Sequence, residues 1–162
     1  AIHHELLDAG VARATSVEVS APSLAAARDE SDRRGHGGRV IYRHGDFGEL
    51  AASVPAADIV TLDRVINVYP DWERLIGFSA ERAQDLFGLV YPRETRMMRL
   101  VILAMNAVLR LRRQPVRAAV HPAEAIERVV REHGLGPHFS QSVGPAWQVA
   151  IYRRPDAARR EP

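Results

Sequence analysis

The chain has 162 residues, 46% of them apolar, and a formal charge of only +2, which suits one globular domain with a real core and argues against disorder except at the ends. All 22 basic residues are arginine, and with so small a net charge they do not by themselves indicate a nucleic-acid surface. Cysteine is absent, which excludes disulfides, thiolate metal sites and cysteine nucleophiles.

Residues 1 to 9 read as a helix already under way, with Ile2, Leu6 and Leu7 on one side and Gly10 as its stop. A start in mid-pattern leads us to expect an upstream part. Ala1 to Gly10 has no apolar core of signal-peptide length, so the expected compartment is the cytoplasm. Thr15 to Val19 alternates as a short strand, with Glu18 at its end. Ser20 or Ala21 then caps, and Pro22 opens, a helix to about Arg34. Gly35, Gly37 and Gly38 break the pattern before a strand over Arg39 to Arg43. It leads into Gly45-Asp46-Phe47, a turn at a strand's carboxyl end, and Phe47 to Ser53 makes one or two helical turns before Pro55.

Asp58 to Asp71 reads DIVTLDRVINVYPD. Its apolar run suits a strand covered on both faces, as in a parallel sheet packed between helices. Ligands of such sheets sit outside the carboxyl ends of the strands, which makes Asp63 to Tyr69 the expected rim of an active site. Asp71 caps a helix from Trp72 to about Arg82, and Asp85 to Tyr91 is another apolar strand, ending in Pro92-Arg93. Thr95 to Arg113 is the longest helix and has a wide apolar surface. Its most apolar part, Leu100 to Leu111, is shorter than the roughly 20 residues of a membrane span and is expected to pack. Pro122 opens a helix over Ala123 to Glu132. Strands at about Phe139 to Val143 and Ala146 to Arg153, linked by Gly144-Pro145, form an antiparallel hairpin. Strands alternating with helices predict a mostly parallel sheet with right-handed crossovers. One domain is expected over 1–154, with a charged, flexible tail over 155–162.

Four groups of residues could carry chemistry. Glu18 can accept hydrogen bonds from ribose hydroxyls, or stand solvated at its strand end. Asp46 can hold an exocyclic amino group and Phe47 can cover a base, although Gly-Asp turns are also common. His121 is the best candidate base, because its ordinary pKa is close to neutral; the plain alternative is that His121-Pro122 simply starts a helix. Tyr69 and Tyr91 can hydrogen-bond or pack. His3 and His4 diverge on a helix, and no spacing suggests a metal site.

The succession SVEVS, GDF, DIVTLDRVINVYPD, LFGLVYPR, VHP and a terminal hairpin resembles the class I S-adenosylmethionine-dependent methyltransferases over nearly all of residues 1 to 153. Arg64 to Asp71 is similar to the motif after the family's fourth strand, often written V-L-H-H-L-P-D, with Asn67-Val68 in place of the two histidines. The resemblance implies an α/β, Rossmann-like, doubly wound and mostly parallel sheet flanked by helices, closed by a C-terminal antiparallel hairpin. It implies S-adenosylmethionine as cofactor, with Glu18 on the ribose hydroxyls, Val19 packed on the adenine, and Asp46 and Phe47 on the adenine amino group and ring. Backbone around Asp63, Arg64 and Val65 would lie near the methionine part, and Asn67, Tyr69, Tyr91, Arg93 and His121 would face the substrate. The family's first strand and glycine-rich loop should immediately precede the opening helix and are not in this sequence, so an upstream part is again expected.

The reaction implied is methyl transfer to a small-molecule acceptor by in-line displacement, with His121 as base and Tyr69 assisting. An inactive methyltransferase-like module that pairs with another chain is one alternative. A nicotinamide dehydrogenase is another, and it requires a parallel final strand. No nucleic-acid partner and no membrane span are expected, and the oligomeric state is open.

Overall fold

A computed structural model describes residues 2–155, and the chain divides into two compact units, Ala1–Val54 and Pro55–Pro162. In the first, helix α1 (Ile2–Asp8) is followed by strand β1 (Ala14–Glu18) and helix α2 (Ala21–Arg33). Ser20 caps α2, its Oγ accepting from the Ser23 N–H at 3.3 Å, with proline in the first turn as the sequence predicts. Strand β2 (Val40–His44) runs parallel to β1 in register from Ala14 opposite Val40 to Glu18 opposite His44. Helix α3 (Phe47–Leu50) continues as a 3₁₀ turn, Ala51–Ser53. The core of this unit is small, with Leu7, Leu24, Val40, Ala51 and Val54 buried beside the polar His4, Ser31 and His36. Arg39 stands in for missing donors at the end of α1, donating from Nη2 to the Leu7 carbonyl at 3.0 Å.

The second unit contains β3 (Ala57–Asp63), α4 (Trp72–Arg82), β4 (Ala83–Pro92), α5 (Arg96–Leu111), α6 (Ala123–Glu132), β5 (Gly136–Val143) and β6 (Trp147–Arg153). Its sheet has the order β3-β4-β6-β5. β3 and β4 are parallel, while β6 is antiparallel to both β4 and β5. The C-terminal hairpin is therefore present, and the parallel pairs β1-β2 and β3-β4 fall in separate sheets. Asp71 caps α4 and Thr95 caps α5, each side chain accepting an N–H three residues on.

Two expectations need correction. The strand within 58–71 is not covered on both faces: β3 lies at the edge of its sheet and none of its residues is buried. The core strand is β4, whose Phe87 and Leu89 pack with Ala150 and Tyr152 of β6, Leu75, Ile76 and Ala80 of α4, and Ile126, Val129 and Val130 of α6 as the unit's buried residues. Burying each large apolar side chain there contributes about 1.5–3 kcal/mol. Nor does the longest helix pack along its apolar surface. In α5 only Ile102 is buried, while Met97, Leu100, Val101, Leu103, Val108 and Leu111 are exposed. The hydrophobic pattern marks a face that can be buried, and the described residues supply little to bury it against.

Among the described residues no helix is long and apolar enough to cross a membrane. The tail expected from Pro155 lies, after Pro155 itself, outside the described residues.

Candidate functional site

In the first unit the candidate residues gather where two parallel strands end side by side. The Gly45 N–H donates to the Glu18 carbonyl at 3.1 Å, tying the tips of β1 and β2 together. Gly45 has φ +143, a backbone conformation that calls for glycine. Glu18 Oε1 accepts from the Ser20 N–H at 2.8 Å, which points the carboxylate across the strand end. Asp46 caps α3, Oδ1 accepting from the Gly48 N–H at 2.6 Å. Val19 is 68% exposed, an apolar side chain left in water beside the acid, and Phe47 is half-buried. The structure thus brings Glu18, Val19, Asp46 and Phe47 to one edge of one parallel pair. His44, which the sequence did not single out, braces this edge, its Nε2–H donating to the Val19 carbonyl at 3.0 Å. The parallel register that places it opposite Glu18 is a tertiary fact with no local signal.

In the second unit the chain leaves β3 through a strained turn. Arg64 has φ 56, the left-handed region that costs a non-glycine residue on the order of 1–3 kcal/mol. Its N–H is fixed on the Val90 carbonyl of β4 at 2.9 Å. The Asp63 and Arg64 side chains hold each other, Nε to Oδ1 at 3.0 Å, and the guanidinium lies 5.6 Å from the centre of the Trp147 ring. Both charges are substantially exposed, so the pair contributes little stability. Val65 starts a helical turn, its carbonyl accepting from the Val68 and Tyr69 N–H groups, both at 3.1 Å. Ile66 is buried and anchors the turn.

The segment from Ala119 to His121 holds this turn at two carbonyls. The Ala119 N–H donates to the Asn67 carbonyl at 2.7 Å, and His121 Nε2 lies 3.1 Å from the Ile66 carbonyl. The carbonyl can only accept, so Nε2 carries the hydrogen and Nδ1 keeps its lone pair when the ring is neutral. The imidazole stacks on Trp72 with centroids 4.4 Å apart. Burial pushes its pKa below the ordinary value of 6.5, against smaller raising effects from the Ile66 carbonyl and Glu73. A neutral ring with a free Nδ1 at neutral pH is what a general base requires. Asn67 Oδ1 is buried without a hydrogen-bond partner, an acceptor left for a donor that a ligand could bring. The segment that carries His121 is held by Asn106 of α5, which both donates to the Ala118 carbonyl at 2.8 Å and accepts from its N–H at 2.9 Å. An asparagine within an otherwise apolar helical run was the available sign of that clamp.

Tyr91 and Arg93 stand at the end of the neighbouring strand, β4. They line a groove of about 300 Å³ at the carboxyl end of β4, together with Glu94, Thr95, Ala123, Ser140 and Gln148; Asn67, Tyr69 and His121 are not among its walls. Tyr91 is largely buried, and burial, with Glu127, pushes its phenol pKa up. A larger depression of about 500 Å³ runs along the charged face of α6, where Arg128 and Arg131 are paired with Glu132 and Glu127, and it holds no candidate residue.

No family model matches the sequence, and no curated protein matches it. Solved structures do. An O-methyltransferase family protein from Burkholderia thailandensis superposes with TM-score 0.67 at 21% identity, covering 88% of this chain and 43% of that one. Magnesium protoporphyrin IX methyltransferase from Synechocystis PCC 6803, solved with bound SAH, gives TM-score 0.72 at 18% identity over 93% of this chain and 67% of that one. The cyclase SpnF gives TM-score 0.67 at 15% identity over 94% and 71%. The chain spans less than half the length of the first of these. At such identities the likeness is one of fold, and it agrees with the strand order and the closing antiparallel β6: the chain has the Rossmann-like α/β fold of the class I S-adenosylmethionine-dependent methyltransferases.

Proposed function

We propose that the chain carries the cofactor- and acceptor-handling part of a small-molecule methyltransferase that uses S-adenosylmethionine. One observation carries the reading: Glu18 and the Gly45-Asp46-Phe47 turn occupy adjacent ends of two parallel strands joined by the Gly45 N–H. A carboxylate, a second acid, an exposed valine and a ring at one edge suit a ribose, an amino group and a flat base. The bound SAH of the Synechocystis structure supports the choice of nucleoside.

S-adenosylmethionine supplies an electrophilic methyl on a sulfonium. In this reading Glu18 takes the ribose hydroxyls, Val19 and Phe47 cover the adenine, and Asp46 takes its amino group. Asn67, Tyr91 and Arg93 orient the acceptor, Tyr69 assists by hydrogen bonding, and His121 Nδ1 takes the acceptor's proton. Domain bounds of 1–154 follow the same reading.

The test is calorimetric titration, with S-adenosylhomocysteine, of the natural protein that contains this chain. Binding is expected, and Glu18→Ala should weaken it more than tenfold, or about 1.4 kcal/mol, through loss of a charge-assisted hydrogen bond. Unchanged affinity would leave Glu18 as a solvated acid; no binding at millimolar ligand would sink the enzyme reading. His121→Ala should lower kcat by roughly a hundredfold or more and leave cofactor affinity alone. The wild-type rate should fall on the acid side below pH 6.5, where the depressed pKa of His121 lies, and that limb should vanish in the variant.

A second reading has an observation of its own. The cyclase SpnF shares the fold, so the same scaffold supports chemistry other than methyl transfer. Cofactor binding without transfer to any acceptor would favour it. The dehydrogenase alternative falls, because β6 is antiparallel to β4.

A further inference from the structure

We infer that the groove at the carboxyl end of β4 receives the carboxylate of an anionic acceptor molecule, held by the Arg93 guanidinium and the hydroxyls of Ser140 and Tyr91. The inference rests on the small-molecule reading above and names its substrate class. Glu94, the one acid in the groove's wall, is already engaged with Arg99. Arg93 is fixed by its backbone, whose N–H donates to the Ala146 carbonyl at 2.8 Å, and among the described residues its side chain has no carboxylate partner.

The neutral groups point the same way. Ser142 Oγ donates to Gln148 Oε1 at 3.0 Å, and Gln148 Nε2 donates to Ser140 Oγ at 2.8 Å and to the Val149 carbonyl at 3.3 Å. Both hydrogens of the Gln148 amide are therefore used, and the relay ends at the Ser140 hydroxyl, whose own hydrogen is left for a ligand. Tyr91, in the same wall, remains a protonated phenol and so a donor. Thr95 Oγ1 already accepts from the Met98 N–H. The groove thus offers donors and a cation with no free acid, which selects an acceptor-only anion. One arginine beside Glu94 balances a single negative charge; a doubly charged phosphoryl group would leave one charge unmatched.

The experiment compares 4-hydroxybenzoate with the isosteric 4-hydroxybenzamide by protein-observed NMR titration of the chain. The acid should bind at least tenfold more tightly than the amide. Arg93→Ala should erase that preference, Ser140→Ala should reduce it, and Arg96→Ala on the exposed start of α5 should leave it intact. Equal affinities, no binding of either compound, or a preference that survives in Arg93→Ala overturns the inference. Titration with S-adenosylhomocysteine is read separately, so failure of the cofactor reading and failure of the groove produce different results.

Discussion

Replacing Phe87, the largest fully buried side chain among the described residues, by alanine is expected to destabilise the second unit by about 3–5 kcal/mol. Phe87 is fully buried in β4, opposite Val60 on β3 and Tyr152 on β6, so its removal opens a cavity that strands on both sides would have to close. Both tryptophans, Trp72 and Trp147, lie in this unit, and urea unfolding followed by their fluorescence measures the loss directly. Val60→Ala, in the half-buried edge strand β3, should cost far less. A comparable cost for the two would show that β3, and not β4, organises the sheet.

Acid should weaken the first unit, as pH falls from about 6.5 toward 4, more steeply than its carboxylates alone would require. His36 Nε2 lies 3.0 Å from Asp8 Oδ1, and His36 Nδ1 lies 3.2 Å from His4 Nδ1. With Nε2–H given to the carboxylate, His36 Nδ1 can only accept while the ring is neutral, so His4 donates from Nδ1. His4 Nε2 is then a lone pair, buried and without a partner; protonating it would bury an N–H with nothing to receive it. Burial accordingly lowers the pKa of His4, helped by Arg34 and His36 and opposed by Glu30. The same cause, with His4 beside it, brings His3 down to about 4.

The unfolded chain takes up these protons first, near its ordinary pKa of 6.5. Stability is therefore complete above about 6.5 and is lost on the way down to the folded values, by about 1.4 kcal/mol per pH unit for each fully coupled proton. Amide hydrogen exchange in α1 and α2 between pH 7 and 4.5 reads this unit alone. His4→Leu should flatten the slope whatever it does at neutral pH, and an unchanged slope would remove His4 as its source.

The candidate site was legible in the sequence to different depths. Glu18 and Gly45-Asp46-Phe47 could be read because strand ends and glycine turns are local signals, and the parallel pairing places them on one edge. His121 was legible as a titratable group. That Ile66 fixes its tautomer and Trp72 its ring plane depends on contacts about fifty residues distant in sequence, which no local pattern encodes. The family resemblance sets Tyr91 and Arg93 facing the substrate together with Asn67, Tyr69 and His121. The groove that Tyr91 and Arg93 line takes another wall from Ser140 of β5 and Gln148 of β6, a long-range pairing with no local signal.

Local chemistry in the sequence by itself determined the order of elements, the caps at Ser20, Asp71 and Thr95, and the closing hairpin, since each depends on hydrogen bonds or turn conformations within a few residues. Only the tertiary structure decided which apolar runs became core. Periodicity shows that a face can be buried, whereas burial requires a partner surface. β4 found one on both sides, β3 on one, and α5 chiefly at Ile102.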